Sequence, residues 1–233
     1  MTQVVILAGG LATRMHPHTL ATPKSMLKVA GRPFIDWQLE RLQSCGFDEC
    51  VLCLGHLSDT IVAHVGDGSA FGLRVTCAQE GATLLGTGGA LRNALPYLAS
   101  EFVVTYGDSY LPFDYVAPLR ALEINMDADV VMSVYRNEHR FEPSNVEVGA
   151  GLVTRYEKGS ADRALAYLDY GALAVRRRFV ETFDEGFLDL AQPMAASVRA
   201  GRVRAYEVEH VFYEIGSPQG LATLEEELGR QRT

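Results

Sequence analysis

Short apolar runs alternate with amphipathic stretches through the first two-thirds of the chain. The Val-Val-Ile-Leu run predicts a strand over Gln3–Ala8, and further runs predict strands over Glu49–Leu54, Leu73–Ala78, Phe102–Tyr106 and Val130–Tyr135. Between them, apolar residues recur at helical spacing. Phe34, Ile35, Leu39 and Leu42 predict a helix over Phe34–Cys45 that stops at Gly46. Ser58–Val65 reads as a helix capped by Ser58, Gly88–Leu98 as one interrupted near Pro96, and Tyr115–Ile124 as another.

After about residue 140 the pattern changes. Asn145–Val148 and Leu152–Tyr156 predict a hairpin turning at Gly149-Ala150-Gly151, followed by a strand over Leu168–Val175. Leu188–Ala200 and Pro218–Leu228 read as helices, with short strands over Val203–Val208 and Val211–Ile215 between them. Strands alternating with helices predict an α/β fold: a Rossmann-like, mostly parallel mixed sheet covered by helices on both faces, with a small antiparallel subregion late in the chain. No repeat, low-complexity tract or linker divides the sequence, so residues 1–233 are read as a single domain.

Nearly half of the residues are hydrophobic, enough for a sizeable core, and the formal net charge is −8. That charge disfavours nucleic acid and acidic membrane surfaces as partners. There is no apolar stretch of membrane-spanning length and no signal-like start, so the expected compartment is the cytoplasm. The cysteines agree. Cys50 and Cys53 are three apart in a predicted strand, so their thiols face opposite sides and do not share a metal; they read as small core hydrophobes. A symmetric homodimer is the commonest assembly for such a chain.

Charge placement changes the picture near the start. The first predicted strand ends at Ala8 and two glycines follow, Gly9 and Gly10, then Leu11-Ala12-Thr13-Arg14 and Pro23-Lys24. Glycines let backbone N–H groups turn toward a ligand, and such arrays bind phosphate. No Asp or Glu occurs from Met1 to Ile35, whereas Arg14, Lys24, Lys28 and Arg32 do, which suits a polyanion. A P-loop is excluded because Lys24-Ser25 follows a proline, and a dinucleotide fingerprint because Leu11 and Ala12 stand where its further glycines would be.

The pattern Leu-Ala-Gly-Gly-x-x-Thr-Arg, continued by Pro17, Thr19, Pro23-Lys24 and Pro33, resembles the signature of sugar-1-phosphate nucleotidyltransferases. The likeness extends in order through Leu85-Gly86-Thr87-Gly88-Gly89-Ala90, Gly107-Asp108, Glu157-Lys158 and Glu214-Ile215-Gly216-Ser217-Pro218. It is greatest to heptose-, mannose- or muramic-type transferases without a C-terminal β-helix. The resemblance implies an NTP and a sugar 1-phosphate as substrates, Mg²⁺ as cofactor, and an NDP-sugar and pyrophosphate as products. Residues 1–135 would mainly bind NTP; residues 140–233 would mainly bind sugar phosphate and supply the second metal position.

By the same resemblance, Leu7, Ala8, Gly9, Gly10, Thr13, Arg14, Lys24 and Thr87 contact the nucleotide, and Gln79 with the backbone at Gly86 reads the base. Glu80 competes with Gln79, and an acid there would suit guanine. Asp108 is one metal ligand and Glu214 the second, standing where the family generally has Asp. Gly107, Glu157, Lys158, Asp169 and Gly171 belong to the sugar phosphate, although the family usually has an amide where Asp169 stands. Ala12 is a further departure, replacing a glycine.

Several other groups read as bystanders. Asp127-Ala128-Asp129 mimics a metal-binding D-x-D, but it precedes its strand and reads as solvated acids; Arg176-Arg177-Arg178 reads as a solvated face and His16 and His18 as loop residues. The implied reaction is in-line attack by a phosphate oxygen on the α-phosphorus of the NTP. Arg14 would hold pyrophosphate, Lys24 and Mg²⁺ the α-phosphate, and Lys158 the incoming phosphate. Three alternatives stay open: a cytidylyltransferase for a non-sugar phosphate or phosphonate, a nucleotide-binding regulatory homologue without turnover, and a D-x-D glycosyltransferase.

Overall fold

A computed structural model describes residues 2–10, 15, 19–81, 83–160 and 162–230. Leu11 to Arg14 and His16 to His18, with the readings of Thr13 and Arg14 among them, lie outside the described residues. The first half contains β1 (Gln3–Leu7), β2 (Lys28–Val29), β3 (Arg32–Pro33), α1 (Phe34–Ser44), β4 (Glu49–Leu54), α2 (Ser58–Val65), β5 (Arg74–Gln79), α3 (Gly86–Asn93), β6 (Glu101–Tyr106), β7 (Ser109–Tyr110) and α4 (Ala117–Ile124). There follow β8 (Val130–Arg136), β9 (Val146–Gly149), β10 (Leu152–Tyr156), β11 (Tyr167–Arg176), α5 (Arg177–Glu181), α6 (Ala191–Arg199), β12 (Val203–Val208), β13 (Tyr213–Glu214) and α7 (Pro218–Arg230).

Among the described residues nine strands form one sheet in the order β5-β4-β1-β6-β11-β8-β12-β10-β9. The first four are parallel, β11 runs antiparallel to both β6 and β8, and β12 is parallel to β8. The chain builds outward from β1 through β4 to β5, then crosses to the other side of β1 for β6. That reversal places a topological switch point between the carboxyl ends of β1 and β6, where open α/β sheets form their ligand crevice.

Alternate strand residues supply two cores. Val5, Leu7, Val51 and Cys53 pack on one face with Leu91, Phe179 and Met194. Val4, Ile6, Cys50 and Leu52 pack on the other with Leu39, Ile61 and Leu122. The period of two therefore sends Cys50 and Cys53 to opposite faces, and burial pushes both thiols up. A smaller cluster joins Phe34, Tyr110, Ile215, Leu224 and Leu228, fastening α7 beside the β13–β7 ladder.

The structure corrects several local readings. Ser58 does not cap α2; Leu57 does, at φ 59°, while the Ser58 hydroxyl accepts from Gln79 Nε2 at 2.9 Å. α3 begins at Gly86, and Pro96 falls in a separate turn of 3-10 helix, Leu95–Tyr97. The Arg176–Arg178 run is a solvated face only in part: Arg178 is exposed, whereas Arg176 is not. Arg176 Nη2 donates to Leu122 O at 2.8 Å, and its side chain is only 12% exposed in its pair with Glu101. Asp129 is not a solvated acid: it is 5% exposed and pairs with Arg178 at 2.7 Å and Arg202 at 3.4 Å. Among the described residues no helix is long and apolar enough to cross a membrane.

Leu39 is fully buried where α1 meets the sheet. Leu39→Ala should therefore lower unfolding free energy by about 2–5 kcal/mol in urea titrations; a loss near zero would detach α1 from the cooperative core.

Candidate active site

Backbone crowding shapes the carboxyl edge of the sheet. A Cβ on Gly107 would stand 2.6 Å from Ala8 Cβ, and one on Gly55 would stand 2.7 Å from Gly9 O. Glycines at these exits let neighbouring strand ends approach without side chains between them. A cavity of about 300 Å³ opens over this edge. Leu7, Ala8, Gly9, Gly10, Lys24, Glu80, Gly86, Thr87, Gly107 and Asp108 line it, together with Pro23, Ser25, Leu84, Ala90, Tyr106 and Phe187. The structure thus brings together, in one cavity, the described residues of the glycine loop with Pro23-Lys24 and those of two later motifs, Gly86-Thr87 and Gly107-Asp108.

Its charged centre is the pair of Lys24 Nζ and Asp108 Oδ2, 2.7 Å apart and partly buried. Gln38 holds the turn that carries Asp108. This buried side chain donates from Nε2 to Tyr106 O at 2.7 Å and to Ser109 O at 2.9 Å, the carbonyls flanking Gly107-Asp108. Sequence reasoning missed Gln38; a buried amide among the apolar positions of α1 was the available signal.

Glu214 reaches the same place by backbone pairing. It sits opposite Ser109 in the β13–β7 ladder, and Ile215 N donates to Asp108 O at 2.9 Å. A Cβ built on Gly216 would lie 3.4 Å from Glu214 Oε1 and 3.5 Å from Lys24 Nζ. No group of three or more His, Cys, Asp or Glu side chains among the described residues forms a closed metal cage. Asp108 on the cavity wall, with Glu214 on the strand paired beside it, nevertheless fits Mg²⁺, which usually takes one or two carboxylates together with phosphate oxygens and water.

Of the two candidate base readers, only Glu80 faces the cavity. Gln79 is exposed and turned to α2, donating to Ser58 Oγ and to Asp59 Oδ1. Glu80 Oε2 accepts from Leu85 N at 2.7 Å, while its Oε1 would stand 2.6 Å from a Cβ on Gly9. Burial pushes the Glu80 carboxyl up, opposed by the Leu85 N–H.

The motif Gly86-Thr87-Gly88-Gly89 has an unforeseen neighbour, the strap between α5 and α6. Leu188 O accepts from Gly88 N at 2.8 Å and Gly89 N at 3.1 Å, and Leu188 N donates to Leu85 O. A Cβ on Gly89 would collide with Gly186 O. These glycines therefore make room for the strap, and Leu188 serves this contact instead of opening α6 as the sequence suggested.

On the far side of β6, Gly171 sits at φ 90°, in a break of the β11 ladder beside Tyr106 and Ser109. Asp169 accepts from Tyr156 Oη at 3.1 Å and from Gly171 N at 3.0 Å. Burial pushes the Tyr106 hydroxyl up, and Asp169, Asp189 and Asp108 act in the same direction, so three acids surround this tyrosine. Lys158 lies 3.7 Å from Asp189, and Glu157 pairs with Arg155 at 2.9 Å instead of facing the cavity. Arg32 also turns away, onto Glu40 and the Trp37 ring, so the early cations do not form one patch.

Comparison with known proteins adds three findings. A family model described as a MobA-like NTP transferase domain matches residues 4–224. N-acetylmuramate alpha-1-phosphate uridylyltransferase of Neisseria meningitidis is 41% identical over 116 residues, 49% of this chain and 50% of that protein. Its counterpart from Caulobacter vibrioides is 26% identical over 234 residues, 96% of each chain. Mycobacterium tuberculosis mannose-1-phosphate guanylyltransferase is 33% identical over 132 residues, 57% of this chain but 36% of that protein. The chain thus spans half or less of some relatives it matches. Among solved structures, HddC from Yersinia pseudotuberculosis superposes with a TM-score of 0.81 at 27% identity, covering 98% of this chain and 100% of that one. HddC has also been solved in complex with GMP-PN.

Two outcomes test this geometry. Gly107→Ala should cost about 1–3 kcal/mol of stability through overpacking against Ala8, read by denaturant unfolding. Glu80→Gln removes a carboxyl whose ionisation the fold opposes. Wild-type Glu80 favours folding at low pH and loses that contribution as pH rises through the ordinary value near about 4.3 and then its raised folded value. The melting temperature of Glu80→Gln relative to wild type should therefore climb from pH 4 to pH 7; a flat difference would contradict the burial argument.

Proposed function

Because this chain belongs to the MobA-like NTP transferase family, we propose that it transfers a nucleotidyl group from an NTP to a sugar 1-phosphate, releasing pyrophosphate. The observation that carries this reading is the Lys24–Asp108 pair at the β1–β6 switch point, between Gly9-Gly10 and Gly171. Along the carboxyl edge the sheet offers, in order, Glu80 after β5, Gly9-Gly10 after β1, Asp108 after β6 and Asp169-Gly171 in β11. That sequence matches base, phosphates, reacting centre and acceptor.

The attacking phosphate oxygen is already anionic, so its activation needs no general base. The work of the site is to align two polyanions and offset their repulsion. Gly9 and Gly10 present backbone near the phosphates, Lys24 exchanges its hold on Asp108 for the α-phosphate, and Lys158 draws in the acceptor phosphate. Arg14 is assigned to the pyrophosphate. Mg²⁺ held by Asp108 and Glu214 would neutralise charge building on the α-phosphate. Asp169 would orient acceptor hydroxyls, with Gly107 and Gly171 leaving space for the sugar. Glu157 is assigned to a sugar hydroxyl if it leaves Arg155.

Glu80, facing the cavity, is assigned to the base edge. Guanine presents adjacent N1–H and N2–H donors to a carboxylate, whereas uracil offers one N–H between two acceptors. We therefore place GTP first. The convergence of Lys24, Asp108 and Glu214 favours a catalyst over a nucleotide-binding module without turnover, and the free cysteines suit a cytoplasmic enzyme.

Incubation with each common NTP, Mg²⁺ and a panel of sugar 1-phosphates should release pyrophosphate, fastest with GTP; release with no pair would refute the transfer. Lys24→Ala should lower kcat at least about a hundredfold with an unchanged circular-dichroism spectrum. Asp108→Asn should abolish metal-dependent turnover; a normal metal titration would place the ligand elsewhere.

A further inference from the structure

The strap between α5 and α6 does more than fill space beside α3. Its backbone is pinned by the three Leu188 hydrogen bonds, and Leu190 N adds a fourth by donating to Thr87 Oγ1 at 2.9 Å. At the far end Asp189 Oδ1 accepts from Ala191 N at 2.9 Å. Immediately before these fixed points Phe187 is 75% exposed, yet it lines the same cavity as Glu80 and Gly86. Its Cε2 would lie 3.2 Å from a Cβ on Gly86, so the ring stands directly over that glycine.

We propose that Phe187 is a nucleotide-binding residue whose ring stacks on or against the base held between Glu80 and Gly86. The inference rests on the nucleotide-transfer reading. Position, more than exposure, carries it: single exposed aromatics are ordinary, but this one is held at the β5 end of the cavity, away from the Lys24–Asp108 centre. Any base offers a π-face, so the contact adds affinity for all NTPs without choosing among them; choice falls to Glu80. A glycine at Gly86 is required twice, for its positive φ of 71° and for the approach of Leu188 O, which would stand 2.7 Å from a Cβ there.

The test is calorimetric titration of GTP and UTP in Mg²⁺ buffer, with tripolyphosphate as a ligand that has phosphates but no base. Phe187→Ala should weaken both nucleotides about tenfold and change tripolyphosphate affinity less than about twofold. Phe187→Trp should restore nucleotide affinity and show fluorescence quenching on GTP addition beyond any change in wild type, whose Trp37 gives the background. Nucleotide binding by Phe187→Ala equal to wild type would overturn the proposal while leaving nucleotidyl transfer intact. Equal loss for tripolyphosphate would also overturn it, since the effect would be structural, as would a rise confined to the KM of the sugar phosphate. Failure of wild type to bind any NTP would instead remove the reading on which the inference rests.

Discussion

Lack of room at the carboxyl edge of the sheet governs much of this molecule. Strands about 4.8 Å apart leave little space where neighbouring chains exit together. Gly9 opposite Gly55, and Gly107 beside Ala8, meet that condition by carrying no side chain. The first side chain able to project after β6 is therefore Asp108. It emerges at the switch point and nowhere else, with Gln38 bracing the carbonyls on either side. The chemistry assigned to Asp108 is inherited from a packing constraint.

Charge is distributed with similar economy. At the centre Asp108 pairs with Lys24, and Glu214 stands on the adjoining strand opposite Ser109. Lys24 and Asp108 therefore stabilise each other until a better partner for either arrives. The acceptor side is acidic around Tyr106. Carboxylates there suit hydroxyl-rich ligands, and under the proposed reading an entering phosphate would rely on Lys158, which lies 3.7 Å from Asp189. Selectivity would arise from this opposition: a phosphate without hydroxyl donors gains attraction from Lys158 but meets repulsion from the acids.

Much of this was legible in the sequence because it was local. The apolar runs placed most strands, and glycines directly after strand ends marked the cavity edge. The Cys50–Cys53 spacing foretold thiols on opposite faces. What sequence could not convey depended on partners far along the chain. Arg176 looked solvated until the fold brought Ala128 beside it, and Arg178, which stays exposed, gains Asp129 as a partner. The choice between Gln79 and Glu80 turned on which residue α2 would capture. The glycine-rich start of α3 suggested nucleotide contacts at Gly86 and Thr87, but nothing local showed that Gly88 and Gly89 donate to Leu188, which follows them by about a hundred positions. Residues 11–14, the strongest motif by pattern, lie outside the described structure and gain nothing from it.

The position of β11 has a consequence for how such a chain is made. β6 and β8 are successive long strands in sequence, but they are not neighbours; β11 lies between them and bonds to both. Until a ribosome has delivered residues 167–176, each flank of that slot is an open edge with unmet donors and acceptors. The nascent polypeptide must hold the gap open for its own late segment while avoiding pairing with a neighbour's. Translation speed and chaperone occupancy over that interval, more than final stability, would then set the yield of native protein.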